Sequence, residues 1–258
     1  MADDKKAERV TLKVLRQDAP EKKESRRWET FSVARVPDMT VQHCLELLRK
    51  EPVTVDGKAV SPPCFEGSCG EETCGACTIL VNGKVMQACS ARVEKVARRG
   101  AITLEPMKKF PLVRDLVVDR SVLFASLERV SAWIEIDGLE ASAPAPRQSR
   151  EQQSERYPLS RCVACGACLE ACPEFKESGA FVGAAAISQA RLMNLHPSGA
   201  NERTERIEAL MGEGGVADCG KAQNCVEVCP TGVPLVDSIG EMARATTKRM
   251  LLGWLLSD

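Results

Sequence analysis

Charge of one sign is the first thing this 258-residue sequence lacks. Its 35 Lys and Arg stand against 36 Asp and Glu, with a pI near 6.3, so a general nucleic-acid binder has no electrostatic footprint here. No apolar run approaches the ~20 residues needed to cross a bilayer. The charged start, Met-Ala-Asp-Asp-Lys-Lys, contains no apolar segment of the kind found in a secretory signal. Histidine occurs twice, too rarely for a histidine-based metal site. His43 neighbours Cys44 on an expected helix, and His196 opens the helix-ending turn His196-Pro197-Ser198-Gly199, so both are expected to be structural or solvent-facing. Neither G-x-G-x-x-G nor a P-loop is present, which leaves flavin, nicotinamide and nucleotide binding without support. A secreted disulfide scaffold and an integral membrane protein are both disfavoured. What the chain does have is cysteine, thirteen in all. In a cytosolic chain so many thiols serve metal or redox chemistry.

The long gap between Cys89 and Cys162 places a domain boundary between them, and charge agrees. Residues 1–112 carry 20 Lys and Arg against 16 Asp and Glu, whereas residues 113–258 carry 15 against 20. Residues 1–112 read as mostly β. Val10, Leu12 and Val14 alternate with polar neighbours, and Trp28, Phe31 and Val33 do so less regularly, which predicts a hairpin. Thr40 is placed to cap a helix with Val41, Cys44, Leu45 and Leu48 on one face. Thr78–Val81 and Val85–Ala88 flank Asn82-Gly83, a type I′ turn signal. Ile102 and Leu104 predict a last strand before Pro106. Residues 113–258 read as helical, over Ser121–Ile134, Gly179–Asn194, Glu202–Met211 and Leu235–Leu256. The polar, proline-bearing stretch Ala141–Arg156 reads as a flexible surface loop.

Cys69-x4-Cys74-x2-Cys77, completed by Cys89, has the plant-type [2Fe–2S] spacing. Three thiolates on a compact loop can wrap one side of such a cluster, while Gly70 and Gly75 let backbone N–H groups approach the sulfides. The fourth thiolate returns across the Asn82-Gly83 hairpin. A four-cysteine zinc site would prefer two C-x2-4-C pairs, and only Cys74 and Cys77 make one. Cys64 and Cys44 fit no ligand frame and are expected to be structural, Cys44 as a small hydrophobe.

Cys162-x2-Cys165-x2-Cys168-x3-Cys172-Pro173 is the bacterial ferredoxin run, whose fourth cysteine ligates the other cluster. Cys219-x2-Ala222-x2-Cys225-x3-Cys229-Pro230 is a degenerate copy. Exchanging the fourth ligands gives Cys162, Cys165, Cys168 and Cys229 for a [4Fe–4S] cluster. Cys172, Cys219 and Cys225 remain for the other. Ala222 offers no donor atom, so a fourth iron would be easily lost, leaving [3Fe–4S]. The alternative is a labile [4Fe–4S] cluster completed by water or another ligand. No residue outside these groups reads as catalytic, so electrons must enter and leave through partners.

Taken together, these motifs resemble the iron–sulfur subunit of succinate dehydrogenase and fumarate reductase, from Arg9 onward. The likeness extends to Arg114-Asp115-Leu116-Val117-Val118-Asp119-Arg120. Three stretches resemble the menaquinone-linked branch: Cys69-Gly-Glu-Glu-Thr-Cys-Gly-Ala-Cys77, Gly183-Ala-Ala-Ala-Ile-Ser-Gln-Ala-Arg191 and Asp218-Cys-Gly-Lys-Ala-Gln-Asn-Cys225. The resemblance implies an α+β chain, with an N-terminal β-grasp plant-type [2Fe–2S] ferredoxin domain and a C-terminal α-helical ferredoxin domain. It also implies that the third cluster is [3Fe–4S]. The implied partners are an FAD-containing flavoprotein subunit, nearest [2Fe–2S], and a membrane-anchor cytochrome b with quinone, menaquinone in this branch, nearest [3Fe–4S]. The implied location is peripheral, on the cytoplasmic face of the plasma membrane. Ubiquinone-reducing members carry a tryptophan shortly after the Cys-Pro and a histidine directly after the first cysteine of the last run. Here Cys172-Pro173 leads into Glu-Phe-Lys-Glu-Ser and Cys219 is followed by Gly220, so no quinone-site residue carries over.

Three other readings compete. A stand-alone soluble multi-cluster ferredoxin would use the same cysteines. An iron–sulfur subunit of a different flavoenzyme would generally lack the plant-type domain. A zinc-ribbon module is opposed by the ferredoxin runs.

Overall fold

Alternation of Val10, Leu12 and Val14 with polar neighbours produces β1 (Arg9–Arg16), and all three side chains are buried. It pairs antiparallel with β2 (Arg27–Ala34), from Arg9 opposite Ala34 to Arg16 opposite Arg27. In the computed structural model, which describes residues 8–135 and 146–253, α1 (Val41–Lys50) follows. Thr40 caps it by accepting the His43 N–H at 3.2 Å. The strands β3 (Thr78–Val81) and β4 (Lys84–Gln87) are joined at Asn82 and Gly83, both with positive φ, as a type I′ turn requires. A short α2 (Val93–Val96) leads to β5 (Ala101–Glu105), which lies parallel to β1 and antiparallel to β3. The sheet order is β2-β1-β5-β3-β4. The helix face of Val41, Cys44, Leu45 and Leu48 shares one hydrophobic core with the strands, in the manner of a β-grasp domain.

The strand expected at Ile102 and Leu104 before Pro106 is β5, and beyond Pro106 follows a two-stranded ribbon, β6 (Leu112–Arg114) and β7 (Val117–Val118). Asp115 at its turn is 1% exposed and holds the ribbon to the first unit. Its carboxylate accepts from the Gln17 N–H at 3.1 Å and the Cys64 N–H at 2.9 Å, and it pairs with the Arg16 Nε at 2.9 Å. The chain accordingly divides into units 1–119 and 120–258, with the boundary after Asp119 rather than after residue 112.

The second unit is helical: α3 (Ser121–Arg129), α4 (Arg150–Ser160), α5 (Ala167–Ala171), α6 (Gly183–Asn194), α7 (Arg203–Ala209), α8 (Asn224–Glu227) and α9 (Leu235–Leu252). Small residues make α6 its centre. Gly183, Ala184, Ala185, Ala186, Ser188 and Ala190 are all buried, so α3, α4, α5, α7 and α9 can approach it. Arg206 is fully buried, donating to the carbonyls of Ser131, Trp133 and Gly199 and pairing with Glu202.

The structure corrects the loop reading of Ala141–Arg156. Residues 141–145 lie outside the described residues, but α4 begins at Arg150. Its polar surface gives no periodic signal, because Leu159 is its one buried residue. The helix forms through a capping box, in which Ser149 Oγ accepts the Gln152 N–H and Gln152 Oε1 accepts the Ser149 N–H. Tertiary ties hold it too: Arg191 pairs with Glu155, and Gln189 donates to the Leu159 carbonyl. Other helix ends shift. The first ends at Arg129, shortly before Ser131 takes a left-handed conformation. The second starts at Gly183 rather than at 179, and the third is preceded by a 3-10 turn at Gly199–Glu202. The last is helical to Leu252, and residues 254–256 of that expectation lie outside the described residues. Among the described residues no helix is long and apolar enough to cross a membrane.

Candidate metal centres

The first cysteine group sits on a loop fixed at its stem. The Cys64 N–H and carbonyl are both engaged by the ribbon, through Asp115 and the Leu116 N–H. Arg16 Nη1 donates to the Ser61 carbonyl at 3.1 Å, and Arg49 donates to the Phe65 carbonyl while stacking over the Phe65 ring. Beyond this stem Gly70, Glu72 and Gly75 all take positive φ, which curls the backbone so that N–H groups face inward. The N–H groups of Glu71 and Thr73 reach Cys69 Sγ at 3.3 and 3.4 Å. The Thr73 hydroxyl and the Glu71 N–H lower the Cys69 pKa to about 6, with Cys74 contributing, so this thiol ionises readily.

Cys77 precedes β3 and Cys89 follows β4, so the hairpin brings them side by side; the Ala88 N–H donates to the Cys77 carbonyl. Burial pushes the Cys89 thiol up to about 12. The Glu72 N–H opposes that shift, and the neighbouring thiols of Cys77 and Cys69 add to it. All four cysteines of the plant-type spacing therefore sit in one neighbourhood. Cys44 lies apart in the core, where burial pushes its thiol to about 12. The backbone of Cys64 serves the loop stem.

In the second unit the two runs share one backbone design, each position recurring 57 residues later (Cys162 and Cys219, Cys172 and Cys229). Ala164 and Gly166 have positive φ, and so do their counterparts Lys221 and Gln223. A short helix follows in each run, α5 or α8. Hydrogen bonds recur as well. Leu169 N–H to Gly166 O matches Val226 N–H to Gln223 O, and Cys172 N–H to Leu169 O matches Cys229 N–H to Val226 O. Ala222 thus occupies the backbone position of Cys165.

The seven thiols of these runs lie close together, with Cys168 and Cys225 facing each other. Burial raises the pKa of Cys162, Cys165 and Cys168, and neighbouring thiolates raise it further. Those neighbours are Cys229 for Cys162, then Cys162 and Cys229 for Cys165. For Cys168 they are Cys165, Cys162, Cys225 and Cys229. Burial likewise raises Cys225, whose neighbours are Cys172 and Cys219. The Val233 N–H donates to Cys229 Sγ at 3.3 Å. A cavity lies beside the smaller set, lined by Cys172, Cys219 and Cys225 with Ala222, Phe181 and Ile239. Among the described residues, no three Cys, His, Asp or Glu side chains converge as ligands of one metal ion would. His43 is exposed, and His196 Nδ1 accepts the Ser198 N–H at 3.1 Å, so neither joins these groups.

Two supporting residues escaped the sequence reading. Asp115 stood inside a noted motif, but its partners Gln17 and Cys64 are distant in sequence and only the fold reveals them. Thr73 lies between ligand positions, and nothing local marks its hydroxyl as a sulfur partner.

Comparison with known proteins identifies the two domains. Residues 11–125 match the family of the 2Fe-2S iron-sulfur cluster binding domain, and residues 158–233 that of the 4Fe-4S dicluster domain. The chain is 45% identical over 230 residues to the succinate dehydrogenase iron-sulfur subunit of Bacillus subtilis, spanning 89% of this chain and 90% of that protein. It is 32% identical over 202 residues to the fumarate reductase iron-sulfur subunit of Haemophilus influenzae, spanning 74% and 78%. A chain of the Mycobacterium smegmatis Sdh1 complex superposes with a TM-score of 0.78 at 21% identity, over 94% of this chain and 97% of that one, a likeness of fold. With two cluster-binding domains in order and near-full-length similarity, the chain belongs to the family of iron–sulfur, electron-transfer subunits of succinate dehydrogenase and fumarate reductase.

Proposed function

We propose that Cys69, Cys74, Cys77 and Cys89 hold [2Fe–2S], that Cys162, Cys165, Cys168 and Cys229 hold [4Fe–4S], and that Cys172, Cys219 and Cys225 hold [3Fe–4S]. The observation that carries this reading is the repeated backbone of the two runs, with Ala222 in the place of Cys165 and a cavity lined by Cys172, Cys219 and Cys225; exchange of the fourth cysteines is the pattern of a two-cluster ferredoxin. The donor chemistry fits. Thiolates suit iron–sulfur clusters, N–H groups already face the sulfurs of Cys69 and Cys229, and the cavity by the set of three has an apolar lining. Bound there, the clusters supply one-electron redox chemistry.

The chain's own residues hold these groups and tune them. Loop N–H groups stabilise negative sulfur, and Arg120 favours the charged form of Cys165. The fixed stem around Arg16 and Asp115 keeps the first loop from rearranging with charge. Electrons pass from an FAD-bearing flavoprotein subunit through this chain to quinone at a membrane anchor of cytochrome b type. The assembly lies peripherally on the cytoplasmic face of the membrane. Menaquinone is the favoured acceptor. Gly220 follows Cys219 and Glu174 follows Pro173, in place of the histidine and tryptophan of ubiquinone-reducing members.

Cys162→Ala tests the assignment. It should remove the [4Fe–4S] signal and stop electron flow to quinone, while succinate oxidation by a soluble dye stays partly intact. Loss of dye reduction with the flavoprotein still assembled would refute the order of centres.

A further inference from the structure

Gln87 ends β4 two residues before Cys89, and its side chain is almost wholly buried, at 2% exposure. Its backbone carbonyl accepts from the N–H groups of Ser90 and Ala91, which turns the chain so that Cys89 comes back beside it. The side-chain amide meets only one partner. Oε1 stands 3.9 Å from Cys89 Sγ, an arrangement that uses the thiol S–H as donor. Nε2 is buried and has no acceptor.

That arrangement suits a protonated thiol only. A cysteine bound to iron is a thiolate and has no S–H to give. Left as it is, the amide oxygen would face a negatively charged sulfur, and the amide N–H groups would remain unpaired in the interior. Both faults disappear together when the terminal amide turns by half a revolution, because its oxygen and nitrogen are nearly isosteric. Nε2 then donates to Sγ. The oxygen takes the unpartnered place, which an under-satisfied carbonyl tolerates better than an N–H does.

We propose that Gln87 donates a side-chain N–H···S hydrogen bond to the Cys89 thiolate and thereby raises the reduction potential of the [2Fe–2S] centre. The inference rests on the assignment of Cys89 as a ligand made above. Reduction adds one electron and no proton, so the sulfurs become more negative, and a hydrogen-bond donor favours that state. The donor adds to the N–H groups of Glu71 and Thr73 at Cys69, on the opposite, loop side of the ligand set. Gln87 is a positioning and tuning residue. Its effect is on where electrons arriving from the flavoprotein come to rest.

The test is an EPR-monitored redox titration of the intact complex carrying Gln87→Leu, which keeps an apolar side chain in place and removes the amide. The [2Fe–2S] midpoint should fall, while the [4Fe–4S] and [3Fe–4S] midpoints stay where they are. An unchanged [2Fe–2S] midpoint would overturn the proposal. Should the variant not assemble, the unmodified complex decides the matter: with glutamine 15N-labelled in its side chain, pulsed EPR of the reduced [2Fe–2S] centre should show coupling to the label. Absence of that coupling overturns the proposal equally. A Cys89→Ala complex that retained an unaltered [2Fe–2S] signal would instead defeat the ligand assignment, an outcome separate from either result at Gln87.

Discussion

With the proposed ligand sets, Ala222 leaves the second ferredoxin run one thiolate short of the first. Lys221 and Gln223 flank Ala222 in the same left-handed conformations that Ala164 and Gly166 adopt around Cys165, so a side chain at 222 leaves the backbone as Cys165 does. Ala222→Cys should therefore supply a fourth thiolate and convert the centre toward [4Fe–4S], with a lower potential and slower transfer to quinone. Persistence of the full oxidised [3Fe–4S] signal, with the new thiol open to alkylation, would show that pocket shape fixes the cluster instead. Gln223 holds a left-handed conformation without being glycine, a strain of roughly 1–2 kcal/mol, which indicates that the surrounding fold imposes the curl. Arg206 is the counterpart residue for stability. Its planar fork binds three carbonyls and Glu202 away from water, and Arg206→Met would leave those acceptors unpaired. A loss of about 3 kcal/mol or more is expected, read as a lowered midpoint in thermal unfolding.

At the level of elements, α5 and α6 meet through a glycine. Gly183 has φ +82, and a Cβ there would lie 2.1 Å from Leu169 Cδ2, on the helix that carries Cys168. Gly183→Ala should destabilise the second unit by roughly 1–3 kcal/mol. Because Leu169 adjoins Cys168, the [4Fe–4S] signal should weaken before that of [2Fe–2S], which EPR can follow. The sequence alone made the strands, α1 and the Asn82-Gly83 turn legible, because each has a local cause: alternation, a capping threonine, two residues tolerant of positive φ. The cysteine runs stand out in the sequence for a similar reason, since their spacing is a local property. The ribbon at 112–118 and α4 were not legible. The ribbon is held by Asp115 reaching Arg16, Gln17 and Cys64 across the unit, and α4 is polar on nearly every face, so neither leaves a periodic trace. The amide of Gln87 belongs with these, because a polar residue in a strand says nothing of the sulfur beside it.

For the molecule as a whole, the three thiolate sets predict about nine iron atoms per chain in anaerobically prepared complex, from two, four and three, or about ten if the Ala222 site keeps four. Metal analysis that returned zinc, with no iron–sulfur absorption in the visible, would remove the reading. The crossed sets also impose an order on manufacture. Cys69 to Cys89 are contiguous in the first unit, so that site has all its thiolates early in synthesis. In the second unit, on the proposed assignment, each run lends its last cysteine to the other. Cys162, Cys165 and Cys168 wait for Cys229, and Cys172 waits for Cys219 and Cys225. A growing chain that has passed α6 but not reached Cys219 carries four of those seven thiols and neither complete site of the second unit, so its exposed sulfurs need custody until Cys229 has been made.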